Sequence, residues 1–414
     1  MIEILEKKDC CGCEACVQRC PKQCITLKED EEGFLYPEVN KDVCIACGLC
    51  EKVCPVINQG KPIEPLSVFA AINPDEEVRL KSSSGGIFTM LAESVIDRGG
   101  VVFGVSFNKE WEVVHKYTET KEGLAEFRGS KYVQSRVGNT FSQAETFLKQ
   151  GREVLFSGTP CQIAGLKRFL RKDYSNLLTV DFICHGVPSP GVFRQYLKEE
   201  KEKVARKGRK NTVSFSSKST LVPERDMLKP NEVEIEHISF RDKTAGWKKY
   251  SFVLVLTKAT AAGEKIQFSS RKNLRINPFL RGFLKDLYLR PSCHECPAKL
   301  LKSGSDITIA DFWGITALMP AADDDKGYSI ITLNSTKGEE TIGTLSIRKV
   351  FFTYEDLKRT NRAIECSPTI PLSRVAFFSS DGKTFHEKIK KLAPIEFKKI
   401  IKLELHKLIN LIRL

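Results

Sequence analysis

Apolar positions along this chain switch between a helical and an extended period, and the switches lay out its elements. Ile87, Phe88, Met90, Leu91, Val95 and Ile96 recur three and four apart, predicting an amphipathic helix with Ser82-Ser83-Ser84 ahead of it as its cap. Gly99-Gly100 then turns the chain into the apolar run from Val101 to Phe107, which reads as a buried strand. Glu153 to Ser157 reads as a second strand, Gly158-Thr159-Pro160-Cys161 as a turn, Gln162 to Leu170 as an amphipathic helix, and Leu177 to Ile183 as another strand. Strand, helix and strand at this spacing predict a right-handed βαβ unit with parallel strands. Ser251 to Leu256 and Ile307 to Ile309 read as further strands. The expected fold class is therefore α/β and multi-domain, with a mixed sheet in the body.

Less regular stretches mark the boundaries. Asn58 to Pro65 is a Gly/Pro-containing linker, which separates residues 1–60 from a body divided at 66–150 and 151–345. Residues 199–230 are charge-rich with little periodicity and read as a solvated helix end and loop. Residues 346–414 form a basic tail, ending in Ile395 to Leu414. That last stretch has the pattern of a basic amphipathic helix, suited to an anionic membrane surface, a partner, or its own chain.

Composition narrows the class. Hydrophobic residues make up 41% of the chain and aromatic residues 9%, enough for a sizeable core. Residues 1–54 carry seven Lys/Arg and eleven Asp/Glu, a net −4, whereas the whole chain is +13, so the remainder is +17. An acidic first module and a basic body would attract each other. No helix-turn-helix, zinc-finger or RNA-binding signature accompanies the positive charge, so nucleic acid is not expected. Met1 to Lys8 lack the apolar core of a signal peptide, and no apolar stretch is long enough to span a bilayer. Fifteen cysteines in such a chain predict a reducing cytoplasm with thiolates kept for metal.

The cysteine spacing carries the most chemistry. Cys10-x-x-Cys13-x-x-Cys16-x-x-x-Cys20-Pro21 reappears 34 positions later as Cys44-x-x-Cys47-x-x-Cys50-x-x-x-Cys54-Pro55. A cubane needs four converging thiolates, three from the tight run and one from outside it. In two-cluster ferredoxins the fourth cysteine of each run serves the other cluster. One [4Fe–4S] cluster is thus expected on Cys10, Cys13, Cys16 and Cys54, and a second on Cys44, Cys47, Cys50 and Cys20. Structural zinc more usually takes two separated Cys-x-x-Cys pairs. The stretch, with Gly33-Phe34-Leu35-Tyr36-Pro37 between the runs, resembles bacterial two-cluster ferredoxins, an α+β module.

Seven cysteines then remain: Cys11, Cys24, Cys161, Cys184, Cys293, Cys296 and Cys366. The βαβ reading places Cys161 and Cys184 at the carboxyl edge of one sheet, where ligands bind in open α/β folds. Cys293-x-x-Cys296 supplies two more thiolates, so a third [4Fe–4S] cluster is expected on Cys161, Cys184, Cys293 and Cys296. Cys11, Cys24 and Cys366 receive no role.

Three polar stretches each allow two readings. Ser82 to Gly86 suits a phosphate at a helix start, or is a plain capped helix. Phe127 to Ser135 suits an anion beside Arg128 and Lys131, with Tyr132 offered to a flat ring, or is a surface loop. Arg241, Lys243 and Trp247 face an anionic aromatic ligand, or mark a strand entry. Asp311 either reaches the site edge or serves as a cap or turn residue. His185, beside Cys184, is either a proton donor or a hydrogen-bonding neighbour of the cluster.

Taken in order, the two cysteine runs, Ser83-Ser84-Gly85-Gly86, Gly129 to Ser135, Gly158 to Gln162, Cys184 to Pro190 and Ser305 to Gly314 resemble one family over roughly residues 1–320. It is the family of beta subunits of the deazaflavin coenzyme (F420) hydrogenase/dehydrogenase, in the branch with an N-terminal two-cluster ferredoxin. The resemblance implies an iron–sulfur flavoprotein with a flavin-binding body. FAD would lie at Ser83, Ser84, Gly85, Gly86, Ser130, Lys131, Tyr132, Gln134, Ser135, Gly158, Thr159 and Pro160. It also implies a redox partner protein or small-molecule electron carrier, with a small organic substrate or deazaflavin-like carrier as acceptor. His185 and Lys131 are the candidate catalytic groups. An electron-transfer adaptor without turnover of its own, and a zinc-stabilised scaffold, are the competing classes.

Overall fold

The computed structural model describes residues 1–207, 233–259, 265–380 and 382–396. Stretch 208–230, most of the charge-rich segment, and 397–414, the end of the basic tail with its expected membrane or partner contact, lie outside the described residues.

The two cysteine runs build a small α+β unit because each run interrupts its own turn with one short helix. Ala15–Arg19 follows the left-handed residue Glu14 (φ 61°), and Leu49–Lys52 follows Gly48 (φ 70°). Both helices stop before the Cys-Pro pairs at Cys20-Pro21 and Cys54-Pro55, as a proline requires. Between the runs, β1 (Ile25–Glu29) and β2 (Leu35–Val39) pair antiparallel, Ile25 opposite Val39.

The body is built on a mixed sheet of eight strands. In chain order these are β3 (Ser67–Ala71), β4 (Val101–Phe107), β5 (Val113–Thr118), β6 (Val154–Ser157) and β7 (Leu177–Phe182). After an intervening smaller sheet come β11 (Ile307–Asp311), β12 (Ser329–Leu333) and β13 (Val350–Phe352). The spatial order is β13-β3-β12-β11-β7-β6-β4-β5. β4, β6, β7 and β11 run parallel, and the other neighbours pair antiparallel. The expected βαβ unit is present as β6, helix Pro160–Leu170 and β7. Its strands read as mostly apolar runs because both faces are covered, with Thr179 and Asp181 of β7 the buried exceptions. Phe103, Val154 and Phe156 pack on helices Thr140–Lys149 and Pro160–Leu170, while Val102, Leu155 and Leu178 pack on Ile87–Asp97. The smaller sheet, β8 (Val233–Asp242), β9 (Ser251–Ala259) and β10 (Lys265–Asn273), is an antiparallel layer sharing an aromatic core with helices Pro190–Lys207 and Pro278–Leu284.

One local expectation is corrected. The serines before Ile87 do not cap its helix: Gly86, at φ 83°, occupies that position with no side-chain cap bond. Ser82 donates to the Val78 carbonyl of the preceding helix, Ser84 to the Tyr328 carbonyl, and Ser83 bonds Ser130 (2.7 Å). The positive-φ turn points the chain away from the geometry in which a serine side chain reaches the first helical N–H groups.

The cysteine module is seated on the helical layer, not tethered beside it. Ala15, Val53, Cys11 and Cys13 share one apolar cluster with Phe141, Ile163, Leu166 and Phe169. Both Glu14 carboxylate oxygens accept from the backbone, at Val137 and Gly138 (2.9 Å each), and Gln18 accepts from Phe141 and Ser142. These acceptors serve N–H groups at the start of helix Thr140–Lys149, which has no side-chain cap of its own. At the far end Gly33 (φ 82°) lies against Gly191, so close that a Cβ on Gly33 would meet the Gly191 Cα at 2.5 Å. No helix among the described residues is long and apolar enough to cross a membrane.

Gly33→Ala combines left-handed strain, costing about 1–2 kcal/mol, with that backbone clash. A lower Tm by calorimetry is expected, with the module released earlier in limited proteolysis; parental melting would show that the contact is not closely packed.

Candidate metal centres and the adjoining sheet edge

Three groups of thiols assemble, each from segments that the fold brings together. Cys10, Cys13, Cys16 and Cys54 line one cavity, walled by Ile2, Ile4, Leu27, Leu35 and Val56, which borders an empty volume of about 400 Å3. Cys20, Cys44, Cys47 and Cys50 line a second, of about 350 Å3. Each cavity thus takes three cysteines from one run and the fourth from the other, the exchange expected from the spacing. No three His, Cys, Asp or Glu side chains among the described residues converge as for a single metal ion. Two apolar cavities, each bordered by the four cysteines of an exchanged set and by a fifth, Cys11 in the first and Cys24 in the second, fit a cubane.

The third group sits at the carboxyl edge of the large sheet. Cys161 opens helix Pro160–Leu170, Cys184 follows β7, and Cys293 and Cys296 come from the 3-10 turn at Pro291–Glu295 and its end. The Val187 N–H points to Cys293 Sγ (3.4 Å), the Cys296 N–H donates to Ser367 (3.0 Å), and Lys299 Nζ donates to the Cys184 carbonyl (2.7 Å). Burial raises the Cys184 and Cys296 thiols, and takes Cys293 to about 12, while hydrogen bonding from Cys11 followed by burial raises Cys161. Cys184, Cys293 and Cys296 each feel the charge of Cys161. Four partly buried thiols that stay protonated on their own would release protons to a metal held there, which is how affinity and folding become linked.

Two cysteines without an assigned role fall beside these groups. Cys11 is buried between Cys13 and Cys161, hydrogen-bonded toward both. Cys24 lines the second cavity and contacts Cys20 (3.4 Å). Nothing local distinguishes them; the signal was only their adjacency to ligand cysteines. Cys366 is exposed.

The remaining site residues divide into two sets. One set shares the sheet edge. Ser83 and Ser130 bond each other, and Gly85 is pressed on the ends of β3 and β12, where a Cβ would meet Ser329 N at 2.6 Å. Gly158, Thr159 and Pro160 form the start of the helix that carries Cys161, with Thr159 and Gln162 in a reciprocal capping box and Thr159 Oγ1 3.2 Å from Cys161 Sγ. Tyr132 stacks on Phe283 (4.9 Å between centroids), and Phe283 meets His185 edge-on. His185 is half exposed and bonded to Asp286 (2.6 Å).

The other set ties the interior. Lys131 Nζ donates to the Glu126, Arg128 and Gly129 carbonyls (2.9, 3.2 and 3.3 Å), and burial lowers it to about 8. Gln134 bridges the Cys11 carbonyl and the Arg290 guanidinium. Ser135 bonds His115 and Gln162. His115 also contacts the Ser157 carbonyl, and burial lowers it to about 4. Arg241 is buried and ion-paired to Asp311, which also accepts from Trp247 Nε1 (3.3 Å). Trp247 is buried and stacks on Trp313 (4.5 Å), so it offers no open ring face to an anionic aromatic ligand. Arg241 Nε and Nη2 are buried without a hydrogen-bond partner among the described residues.

Comparison with known proteins agrees with this arrangement. The model for the C terminus of the coenzyme F420 hydrogenase/dehydrogenase beta subunit matches residues 151–357, and the N-terminal model of the same family matches 68–141. A 4Fe–4S dicluster domain matches residues 9–58. The F subunit of F(420)H(2) dehydrogenase from Methanosarcina mazei is 25% identical over 193 residues, 44% of this chain and 55% of that protein. The coenzyme F420-dependent sulfite reductase of Methanocaldococcus jannaschii is 26% identical over 168 residues, 40% of this chain and 26% of that protein. The chain thus spans about half of the first relative and a quarter of the second. A chain of the F420-reducing [NiFe] hydrogenase complex from Methanosarcina barkeri aligns over 81% of this chain and 91% of its own, at 17% identity and a TM-score of 0.42, too loose to build on.

Two outcomes are expected. Cys20→Ser lowers bound iron by one cubane's worth, whereas Cys24→Ser leaves it unchanged; equal iron in both would refute the exchanged fourth ligand. His115 stays neutral when folded, while the unfolded chain takes up a proton below pH 6.5, so stability is full above 6.5 and falls toward pH 4. That loss is about 3 kcal/mol for a shift to about 4. Urea midpoints between pH 7 and 4 should fall less steeply in His115→Asn than in the parent.

Proposed function

We propose that this chain, which belongs to the family of coenzyme F420 hydrogenase/dehydrogenase beta subunits, is an iron–sulfur oxidoreductase subunit that moves electrons between a partner protein and the carboxyl edge of its own sheet. A flavin of the FAD type would sit at that edge and react with a small organic substrate or a deazaflavin-like carrier. The carrying observation is the exchange of Cys20 and Cys54 between two cysteine-lined cavities, with a third group of thiols directly beneath the module. Cubanes supply single-electron chemistry when bound, and a flavin converts it to hydride chemistry.

The chain's own residues divide the work. Cys10, Cys13, Cys16 and Cys54 would hold the cluster facing the body, Cys20, Cys44, Cys47 and Cys50 the outer one, and Cys161, Cys184, Cys293 and Cys296 the one at the sheet edge. Cys47 is exposed, so the outer cavity is the one open to a partner protein. At the β11 end of that edge, the unpartnered Nε and Nη2 of the buried Arg241 fit an anionic group of a flavin or substrate, as do the Ser83–Ser130 hydroxyls. Lys243 donates to the Arg79, Ser84 and Lys326 carbonyls and holds the serine loop in place beside them. His185 and its Asp286 partner form a half-exposed pair next to Cys184, positioned to hold a proton at Nε2 or Nδ1. Lys131 is a positioning residue on this reading, because its ammonium closes its own loop.

An adaptor that passes electrons without turnover is the second reading. Its support is that Lys131, Gln134 and Ser135, three of the residues expected around a flavin, are committed to interior contacts. Anaerobic purification with iron, sulfide and flavin quantification tests both. Three cubanes' worth of iron with stoichiometric flavin is expected, and Cys296→Ser should lose one cubane's worth. Three cubanes without flavin would leave the adaptor, and iron-free protein would overturn both readings.

A further inference from the structure

We propose that Arg290 is the shared counter-charge of two clusters, the one on Cys10, Cys13, Cys16 and Cys54 and the one on Cys161, Cys184, Cys293 and Cys296, and that it raises the reduction potential of both. The inference rests on the proposed ligation of those two clusters. Arg290 joins their protein segments directly. Its Nε donates to the Cys10 carbonyl (2.7 Å), and its own carbonyl accepts from the Cys293 N–H (2.9 Å). Between these contacts the side chain is enclosed, with the residue only 1% exposed.

The surroundings leave its charge unmatched. Its hydrogen bonds go to neutral acceptors: the Cys10 carbonyl, the Leu35 carbonyl (3.0 Å) and Gln134 Oε1 (2.9 Å). Tyr36 and Phe34 cover the guanidinium at 4.3 and 5.3 Å from their ring centres. No carboxylate pairs with it among the described residues. Glu14 lies within electrostatic reach, yet both its oxygens are taken by the Val137 and Gly138 N–H groups. A buried guanidinium facing only neutral partners is costly, and such charges persist where something anionic answers them. Cubanes with four thiolate ligands are anionic in either oxidation state and gain further negative charge on reduction. A fixed cation beside them favours the reduced state, and in a water-poor interior the effect is weakly screened.

The fit is tight enough to make the position specific. Gly12, between Cys10 and Cys13, has φ 71°, and a Cβ there would meet Arg290 Nη1 at 2.9 Å and Gln134 Nε2 at 2.4 Å. Glycine at this point in the first run lets the guanidinium approach the ligand loop. The corresponding position in the second run is Ala46, and none of the side-chain hydrogen bonds of Arg290 reaches that run. The outer cluster therefore serves as an internal control.

The test is an anaerobic redox titration of the full cluster-loaded chain, followed by electron paramagnetic resonance, in the parent, Arg290→Gln and Arg290→Lys. Cys296→Ser identifies the signal of the sheet-edge cluster, and Cys47→Ser that of the outer one. With iron unchanged, Arg290→Gln should cut the reduced-to-oxidised ratio of the two inner clusters at least tenfold at a fixed potential, 59 mV for one electron. The outer cluster should hold its midpoint, and Arg290→Lys should lie closer to the parent. Three unmoved midpoints, or an equal fall in all three, would overturn the proposal. If Arg290→Gln loses iron, Arg290→Lys decides: a parental midpoint supports a role for charge, and a tenfold fall overturns it. A parent lacking the sheet-edge cubane would instead overturn the ligation on which the proposal rests.

Discussion

The structure depends on bringing sulfur atoms from distant parts of one chain close together in a place shielded from water. Thiols are poor partners for one another until a metal takes their protons, so convergence must be imposed by everything around them. Here it is imposed by seating the cysteine module in the helical layer of the body. Ala15 and Val53 contribute apolar surface to the same core as Phe141 and Leu166. Glu14 and Gln18 supply four acceptor contacts to the entry and first turn of a helix that has no side-chain cap of its own. The caps that the body lacks are carried by the module, which fixes its rotation as well as its distance.

Charge plays a different part in this seating from the one suggested by the net values of −4 and +17. The module and body do form opposite-charge pairs, Glu29 with Arg194 and Lys8 with Glu295 among them, but these are substantially exposed. Pairs of that kind contribute about 0.2–1 kcal/mol each and weaken with salt. Glu32 with Arg374 is better shielded, and Arg374 also donates to the Leu289 carbonyl, so it connects module, sheet edge and tail. Two single charges are buried at the junction: Glu14, which accepts from backbone N–H groups of the body, and Arg290, which donates to backbone carbonyls of the module and to Gln134. Bulk complementarity encourages association; these two set its register.

What the chain disclosed by its sequence follows from how local each signal is. The eight N-terminal cysteines announce themselves through a repeat of spacing, and the structure places them around two cavities with the fourth members exchanged. The βαβ unit was legible because β6 and β7 are mostly apolar and Gly158 to Pro160 marks the turn between strand and helix. The serines before Ile87 misled because serine is a common cap, whereas the deciding feature was the left-handed conformation of Gly86. Lys131, Gln134 and Ser135 lie within a stretch whose polarity suggested a ligand, yet their partners are backbone carbonyls, Arg290 and His115, contacts that no spacing rule encodes. Arg290, Cys11 and Glu14 were illegible for the same reason. Each matters through residues more than a hundred positions away.

The position of Cys11 carries this argument one step further. Its thiol lies between Cys13, which borders a module cavity, and Cys161, which belongs to the sheet-edge set. On the other side of Cys13, Gly165 of helix Pro160–Leu170 comes so near that a Cβ would meet Cys13 Sγ at 3.0 Å. The helix that presents Cys161 is thus packed on Cys13 itself, and a glycine is what permits the approach. Sheet edge and module are related through the rigid body of one helix, so the distance between their thiol groups cannot be altered without opening the core around Ile163 and Leu166. Separation of redox centres is normally the quantity that a protein must hold constant while its partners come and go. In this fold the separation of the thiol groups is held by packing density around one helix.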